Sequence, residues 1–227
     1  MNSSRSLGLI GGLGVGATVH YYQQLARGCD QRNCTLDIVI TSAYTPRVFQ
    51  YVEAQDPNGL AQYLNGYIQR MHSAGAELAV IPAVTPHYAI EELIVISPLP
   101  IISIFDPLRE KLSRRSIRRI SIFGTRFVIE SDFFGALANI EIVRPHPDEL
   151  DRIHSTYVEL AAEGKPSPEK RDQLTAIART LIARDAVEAI LLAGTDLTLL
   201  FDENTTDFNC IDCAAAHIAK ILTRITP

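Results

Sequence analysis

The chain has no tryptophan, only two methionines and four cysteines. It also has no apolar run approaching the ~20 residues that a membrane span needs. Its first six residues are largely polar and the apolar stretch at 7–10 is short, so neither a secretory nor a transmembrane segment is visible and a cytoplasmic chain is expected. Cys29, Cys34, Cys210 and Cys213 are too few and too irregular for a disulfide framework. Cys210 and Cys213 have the spacing of a zinc or redox pair, but no second pair accompanies them. They read as structural thiols, and no metal is expected. A basic excess is missing as well. Lys and Arg number 21 against 26 Asp and Glu, a net charge of −5, which argues against nucleic acid as the partner. The one basic cluster, Arg114, Arg115, Arg118 and Arg119, reads as a solvated helix end.

What the chain does have is hydrophobic residues, 47% of its 227 positions, enough for one large core or two smaller lobes. They gather in short runs at 7–10, 36–40, 78–81, 101–104, 120–123, 140–143, 189–192 and 208–211. Most are rich in Ile, Val and Leu without polar alternation, as strands buried on both faces of a parallel sheet are. Helix-length segments separate them, for example 59–74, 148–162 and 168–184. The alternation predicts an α/β fold. The runs divide into two sets of four with weak internal symmetry. That predicts two pseudo-symmetric lobes, each a four-stranded parallel sheet flanked by helices, with an active-site cleft between them. Residues 1–104 with 212–227 would form the first lobe and 105–211 the second.

Ligands of open parallel sheets bind beyond the carboxyl ends of the strands, so the turns after the runs are the candidate site. The first, around Gly12 and Leu13, is a glycine-rich strand-to-helix turn that could meet a small carboxylate. It fails the spacing of a dinucleotide fingerprint and carries no phosphate-loop lysine. Arg47, after the second run, is either a bidentate carboxylate clamp or a surface arginine. The turn after the third run carries Ala83, Val84, Thr85 and His87, and His87 is either an acid/base group or a helix cap. The matching turn of the second half carries Gly194, Thr195 and Asp196, with the same ambiguity for Asp196. Lys165 follows Gly164 at a helix end, where an exposed lysine is favoured anyway.

Several segments occur together in one order: residues 7–14, Pro46 with Arg47, residues 73–76, Thr85 with Pro86 and His87, residues 123–127, residues 159–165, and Gly194 with Thr195 and Asp196. The ordered set resembles the aspartate/glutamate racemase family, in its aspartate racemase branch, over nearly the whole chain. The resemblance implies two α/β lobes, no cofactor, and a homodimer. It also implies two cysteines, one per lobe, that remove and return the α-proton of a dicarboxylic amino acid, with an arginine and a lysine holding its carboxylates. Arg47 matches that arginine, and Lys165 lies at or next to the lysine. Both thiols are missing. Pro82 stands where the first cysteine opens its turn, Val84 replaces an asparagine, and Gly194 stands at the second cysteine. Neither proline nor glycine offers a side-chain base, so two-thiol racemisation is expected to be lost.

Two readings follow. In one, the chain binds a small amino acid or dicarboxylate and performs other cofactor-independent chemistry, such as isomerisation, elimination or decarboxylation. His87 and Asp196 would then be the acid/base pair facing each other across the cleft, helped by Thr85 and Thr195. Gly12, Leu13, Arg47, Ala83, Val84, Thr85, Lys165 and Gly194 would line the substrate. In the other reading, the chain is an inactive carboxylate-binding or sensing protein.

Overall fold

A computed structural model describes residues 4–226. The chain forms two compact units. One runs up to Ile104 and resumes at His217; the other is Phe105–Ala216. The return to the first unit falls inside the last helix.

The first unit begins with β1 (Leu7–Gly11), whose five residues are all buried, followed by α1 (Val15–Asp30). It continues through β2 (Ile38–Ser42), α2 (Thr45–Glu53), α3 (Pro57–Ser73), β3 (Leu78–Val80) and α4 (Ile90–Ile96). The strands are parallel in the order β2-β1-β3, with Leu7 opposite both Ile38 and Leu78. Gly8 in the central strand leaves room for the Met71 side chain of α3, whose sulfur lies 2.9 Å from where a Cβ would be. Asp56 starts α3 by accepting the Gly59 amide at 2.8 Å.

The expected fourth strand at 101–104 is a single bridge between Ile101 and Ala79. Its ladder begins normally, with Ala79 N–H donating to Pro100 and Ile102 N–H donating back to Ala79. Histidines then take over. Ile102 C=O accepts from the His217 ring at 2.8 Å, and Ile104 N–H donates to the His87 ring at 3.1 Å. Backbone groups satisfied by side chains are not available for a ladder, so Ile102 and Ile104 are buried without the run becoming a strand.

The second unit comprises α5 (Phe105–Arg114), β4 (Arg119–Phe123), α6 (Arg126–Glu130), β5 (Glu141–Ile142), α7 (Pro147–Glu163), α8 (Pro168–Asp185), β6 (Ala189–Leu192), β7 (Cys210–Asp212) and the start of α9 (Cys213–Ile225). Its four strands are parallel in the order β5-β4-β6-β7. The α/β class with two parallel sheets is as expected, with three strands in one and four in the other. Among the described residues, no helix is long and apolar enough to cross a membrane.

Candidate functional site

In the first unit, parallel pairing brings three of the predicted turns to one edge of the sheet, beyond the carboxyl ends of β1, β2 and β3. Gly12 has a positive φ of 78°, and an added Cβ would meet the Ser42 hydroxyl at 2.4 Å and the Ala43 carbonyl at 2.5 Å. Only glycine fits there. Its carbonyl accepts from Thr45 Oγ1 at 2.7 Å and its amide donates to Thr18 Oγ1 at 3.2 Å. The turn is thus tied to β2's exit, and the Gly12 amide is already spent. Leu13 beside it is half-buried.

Arg47 lies in the first turn of α2 and is exposed. Its guanidinium stands 5.1 Å from the centre of the Tyr51 ring and makes only long bonds, 3.2 Å to Gln50 Oε1 and 3.4 Å to the Tyr51 hydroxyl. Among the described residues it has no carboxylate partner. Arg184, by contrast, is paired with Glu149 at 2.8 Å and Asp185 at 2.7 Å. Arg47 also borders a tyrosine group that sequence reading missed. Tyr63 accepts the Tyr44 amide at 2.9 Å and bonds the Tyr67 hydroxyl at 3.0 Å. The positions of Tyr63 and Tyr67 one helical turn apart in α3 were the available signal.

The turn at 82–87 is buried throughout, including Ala83, Val84 and Thr85. His87 is 1% exposed. Its Nδ1 bonds the Ala83 carbonyl at 2.9 Å and its Nε2 accepts from Ile104 N–H. This fixes a neutral tautomer with the proton on Nδ1. Burial, reinforced by His217 beside it, depresses its pKa to about 3. His217 is likewise neutral, donating from Nε2 to Ile102 C=O and accepting at Nδ1 from the Tyr21 hydroxyl at 3.1 Å. Burial brings its pKa to about 4. With both nitrogens committed to its own unit, the His87 ring is a clamp on the 82–87 turn and on residue 104.

In the second unit, Gly194, Thr195 and Asp196 follow β6 and are all buried. A Cβ on Gly194 would lie 2.2 Å from Cε2 of Tyr157 and 2.6 Å from Cδ2. The space a side chain would use at this position holds the Tyr157 ring of α7. The Tyr157 phenol lies beside Thr195 and Asp196. Burial, then the adjacent Asp196 charge, push its pKa well above the ordinary phenol value, so its proton stays in place. Sequence reading missed Tyr157 because it sits on the apolar face of an amphipathic helix. The signal was the glycine, whose missing side chain must be replaced by something.

Beside these residues, Asp212 starts α9 by accepting the amides of Ala214 at 2.7 Å and Ala215 at 3.2 Å. Burial nevertheless raises its pKa to about 6. Cys213 is fully buried, and burial followed by the Asp212 charge pushes its thiol far from ionisation. Lys165 is exposed just after Gly164, the left-handed residue that closes α7. It makes no ion pair among the described residues. The neighbouring residues Pro166, Ser167 and Pro168 line an open cavity of about 820 Å³ whose lining also includes Leu199, Thr205 and Thr206. Among the described residues, no three His, Cys, Asp or Glu side chains converge as a metal site.

The two halves of the predicted constellation therefore form in separate units. Gly12, Arg47 and the 82–87 turn share one sheet edge; Gly194, Thr195 and Asp196 join Tyr157 in the other unit. Comparison with known proteins matches residues 10–221 to the family described as Asp/Glu/Hydantoin racemase. The fold is similar to that of an aspartate racemase homologue from Pyrococcus horikoshii OT3, at 22% identity and a TM-score of 0.79, covering 96% of this chain and 98% of that one. It is similar to the Picrophilus torridus aspartate racemase at 20% identity and a TM-score of 0.77, covering 98% and 96%. A glutamate racemase isoform from Bacillus anthracis gives 15% identity and a TM-score of 0.65, covering 98% and 82%. At these identities the likeness to the solved structures is one of fold.

Proposed function

The chain belongs to the Asp/Glu/Hydantoin racemase family, and from that premise we propose that it binds a small amino acid or dicarboxylate without racemising it through two thiols. The observation that carries this reading is the Tyr157 ring packed into the side-chain space of Gly194. The second thiol position is closed as well as vacated, and Pro82 leaves the first without a base. In this reading His87 and Asp196 do not act as the acid/base pair. Both are buried, and the two ring nitrogens of His87 are taken up by Ala83 and Ile104. Arg47 supports ligand binding, as an exposed guanidinium with no carboxylate of its own, and Lys165 supplies a second cation. A ligand carboxylate would give Arg47 the bidentate partner it lacks.

A second reading keeps an activity: isomerisation, elimination or decarboxylation without a cofactor. One observation favours it. The Tyr157 phenol is a held proton coupled to a carboxylate, and proton donation is a recurrent catalytic role for such a group.

The test screens amino and hydroxy dicarboxylates by thermal shift and follows each stabilising compound by NMR in deuterated water. Binding without deuterium entry at Cα is expected. Inversion of aspartate or glutamate at ordinary turnover would overturn the proposal, and conversion to another product would favour the second reading. Charge-assisted contacts are worth roughly 1.5–3 kcal/mol. Arg47→Ala should therefore weaken the best ligand by about tenfold or more while leaving the ligand-free melting temperature nearly unchanged. Equal affinity in calorimetry would make Arg47 a surface residue only.

A further inference from the structure

The end of α1 holds two thiols that the proposed function does not use. The helix closes in a Schellman turn: Asn33 takes the left-handed position at φ 54°, its amide donates to Asp30 C=O, and the Cys34 amide donates to Cys29 C=O, both at 3.0 Å. This motif places the side chains at its two ends against each other, usually as an apolar contact. Here both ends are cysteines. The Cys34 thiol donates to the Cys29 carbonyl at 3.4 Å, so the amide and the side chain of Cys34 both lie against residue 29. Both are free.

We propose that Cys29 and Cys34 are an oxidisable dithiol, which a hydroperoxide converts into an intramolecular disulfide across the turn. The pairing is built by the backbone. The six-residue turn brings residues 29 and 34 side by side whatever their side chains, and with the Cys34 sulfur already against the Cys29 backbone, side-chain rotation is what bonding geometry requires. Cys34 is half-buried and Cys29 almost completely buried, so the oxidant meets Cys34 first. Burial and the neighbouring thiol keep Cys29 protonated, with a pKa of about 11, which fits the second role.

In the first step the Cys34 thiolate takes one oxygen of hydrogen peroxide, the O–O bond breaks and hydroxide leaves. Cys34 is now a sulfenic acid. The Cys29 sulfur then attacks the Cys34 sulfur. The S–O bond breaks, and the hydroxyl departs as water with the Cys29 proton. Two thiols and one peroxide become one disulfide and two waters. Cys210 and Cys213 are fully buried in the second unit, with pKa values raised by burial, and stay reduced.

The experiment treats the reduced full-length protein with stoichiometric hydrogen peroxide, alkylates the remaining thiols and maps peptides by mass. Free thiols should fall from four to two, with one Cys29 to Cys34 link per chain that dithiothreitol reverses. The Cys34→Ser variant, altered at the less buried position, should form no link and keep its other thiols. Wild-type mapping reads the same answer without any variant. A link between Cys210 and Cys213, an intermolecular disulfide, sulfinic acid at Cys34 without a link, or no loss of thiols would each overturn the proposal.

Discussion

Gly194 has φ −113° and ψ 116°, a backbone conformation any L-residue adopts without strain. Whatever a side chain costs there comes from the Tyr157 ring, 2.2 Å from the missing Cβ. Overpacking a closed site typically costs about 1–3 kcal/mol. Gly194→Ala should lose that much in urea denaturation, whereas in a Tyr157→Ala background the same change should cost little. Such coupling is the signature of two residues in direct competition for space. Equal costs in both backgrounds would mean that the ring and the glycine are not complementary. The pair also shows how one residue can be legible while its partner is not. A glycine before Thr195 and Asp196 is visible in the sequence; the aromatic that fills its place lies 37 positions earlier, in a helix where apolar residues recur for ordinary packing reasons.

At the scale of elements, the run at 101–104 is the instructive departure. Its composition reads as a buried strand, and its alternate residues are buried, at 4% exposure for Ile102 and 0% for Ile104. Hydrophobic runs report burial, whereas strand pairing depends on where each amide and carbonyl finds its partner. Those partners are His87 and His217, one close by and one far along the chain, and no local pattern reveals them. The equally short runs at 7–10 and 120–123 pair with neighbouring strands and became β1 and β4 almost as read. The helix at α2 begins where a turn was expected after the second run, and Pro46 suits it because proline is well placed in a helix's first turn. If His87 is a clamp, His87→Ala leaves Ile104 N–H and Ala83 C=O without it and opens a cavity, a loss of roughly 2–4 kcal/mol. His87→Gln, whose amide oxygen can still accept from Ile104, should lose less. The reading is checked by urea midpoints; an unchanged His87→Ala midpoint would return the ring to the list of candidate acid/base groups.

Across the whole molecule, the buried titratable groups set a dependence of stability on pH whose terms have opposite signs. His87 and His217 have folded pKa values of about 3 and about 4, below the ordinary 6.5. Unfolded, they take up protons as the pH falls through 6.5, while the folded chain does not. Their contribution is complete above that value and is lost between it and their folded pKa values. His20 and His154, also lowered by burial, act in the same direction. Asp212 acts in the opposite direction. Its folded pKa of about 6 lies above the unfolded value, so the folded chain gains a proton first and is favoured as pH falls through 6. From pH 7 to 5 the two histidines cost on the order of 4 kcal/mol and Asp212 returns on the order of 1, at about 1.4 kcal/mol per proton per pH unit. The exposed carboxylates with lowered pKa values, such as Glu163 and Glu188, weaken the fold only below their ordinary range and stay outside this window. The unfolding free energy should therefore fall by roughly 2–3 kcal/mol between pH 7 and 5. His217→Gln, with an amide able to donate to Ile102, should flatten the fall, and Asp212→Asn, still able to accept at the start of α9, should steepen it. Urea titrations of the three proteins at both pH values decide the matter: parallel losses in all three would remove these buried groups as the origin of the acid sensitivity.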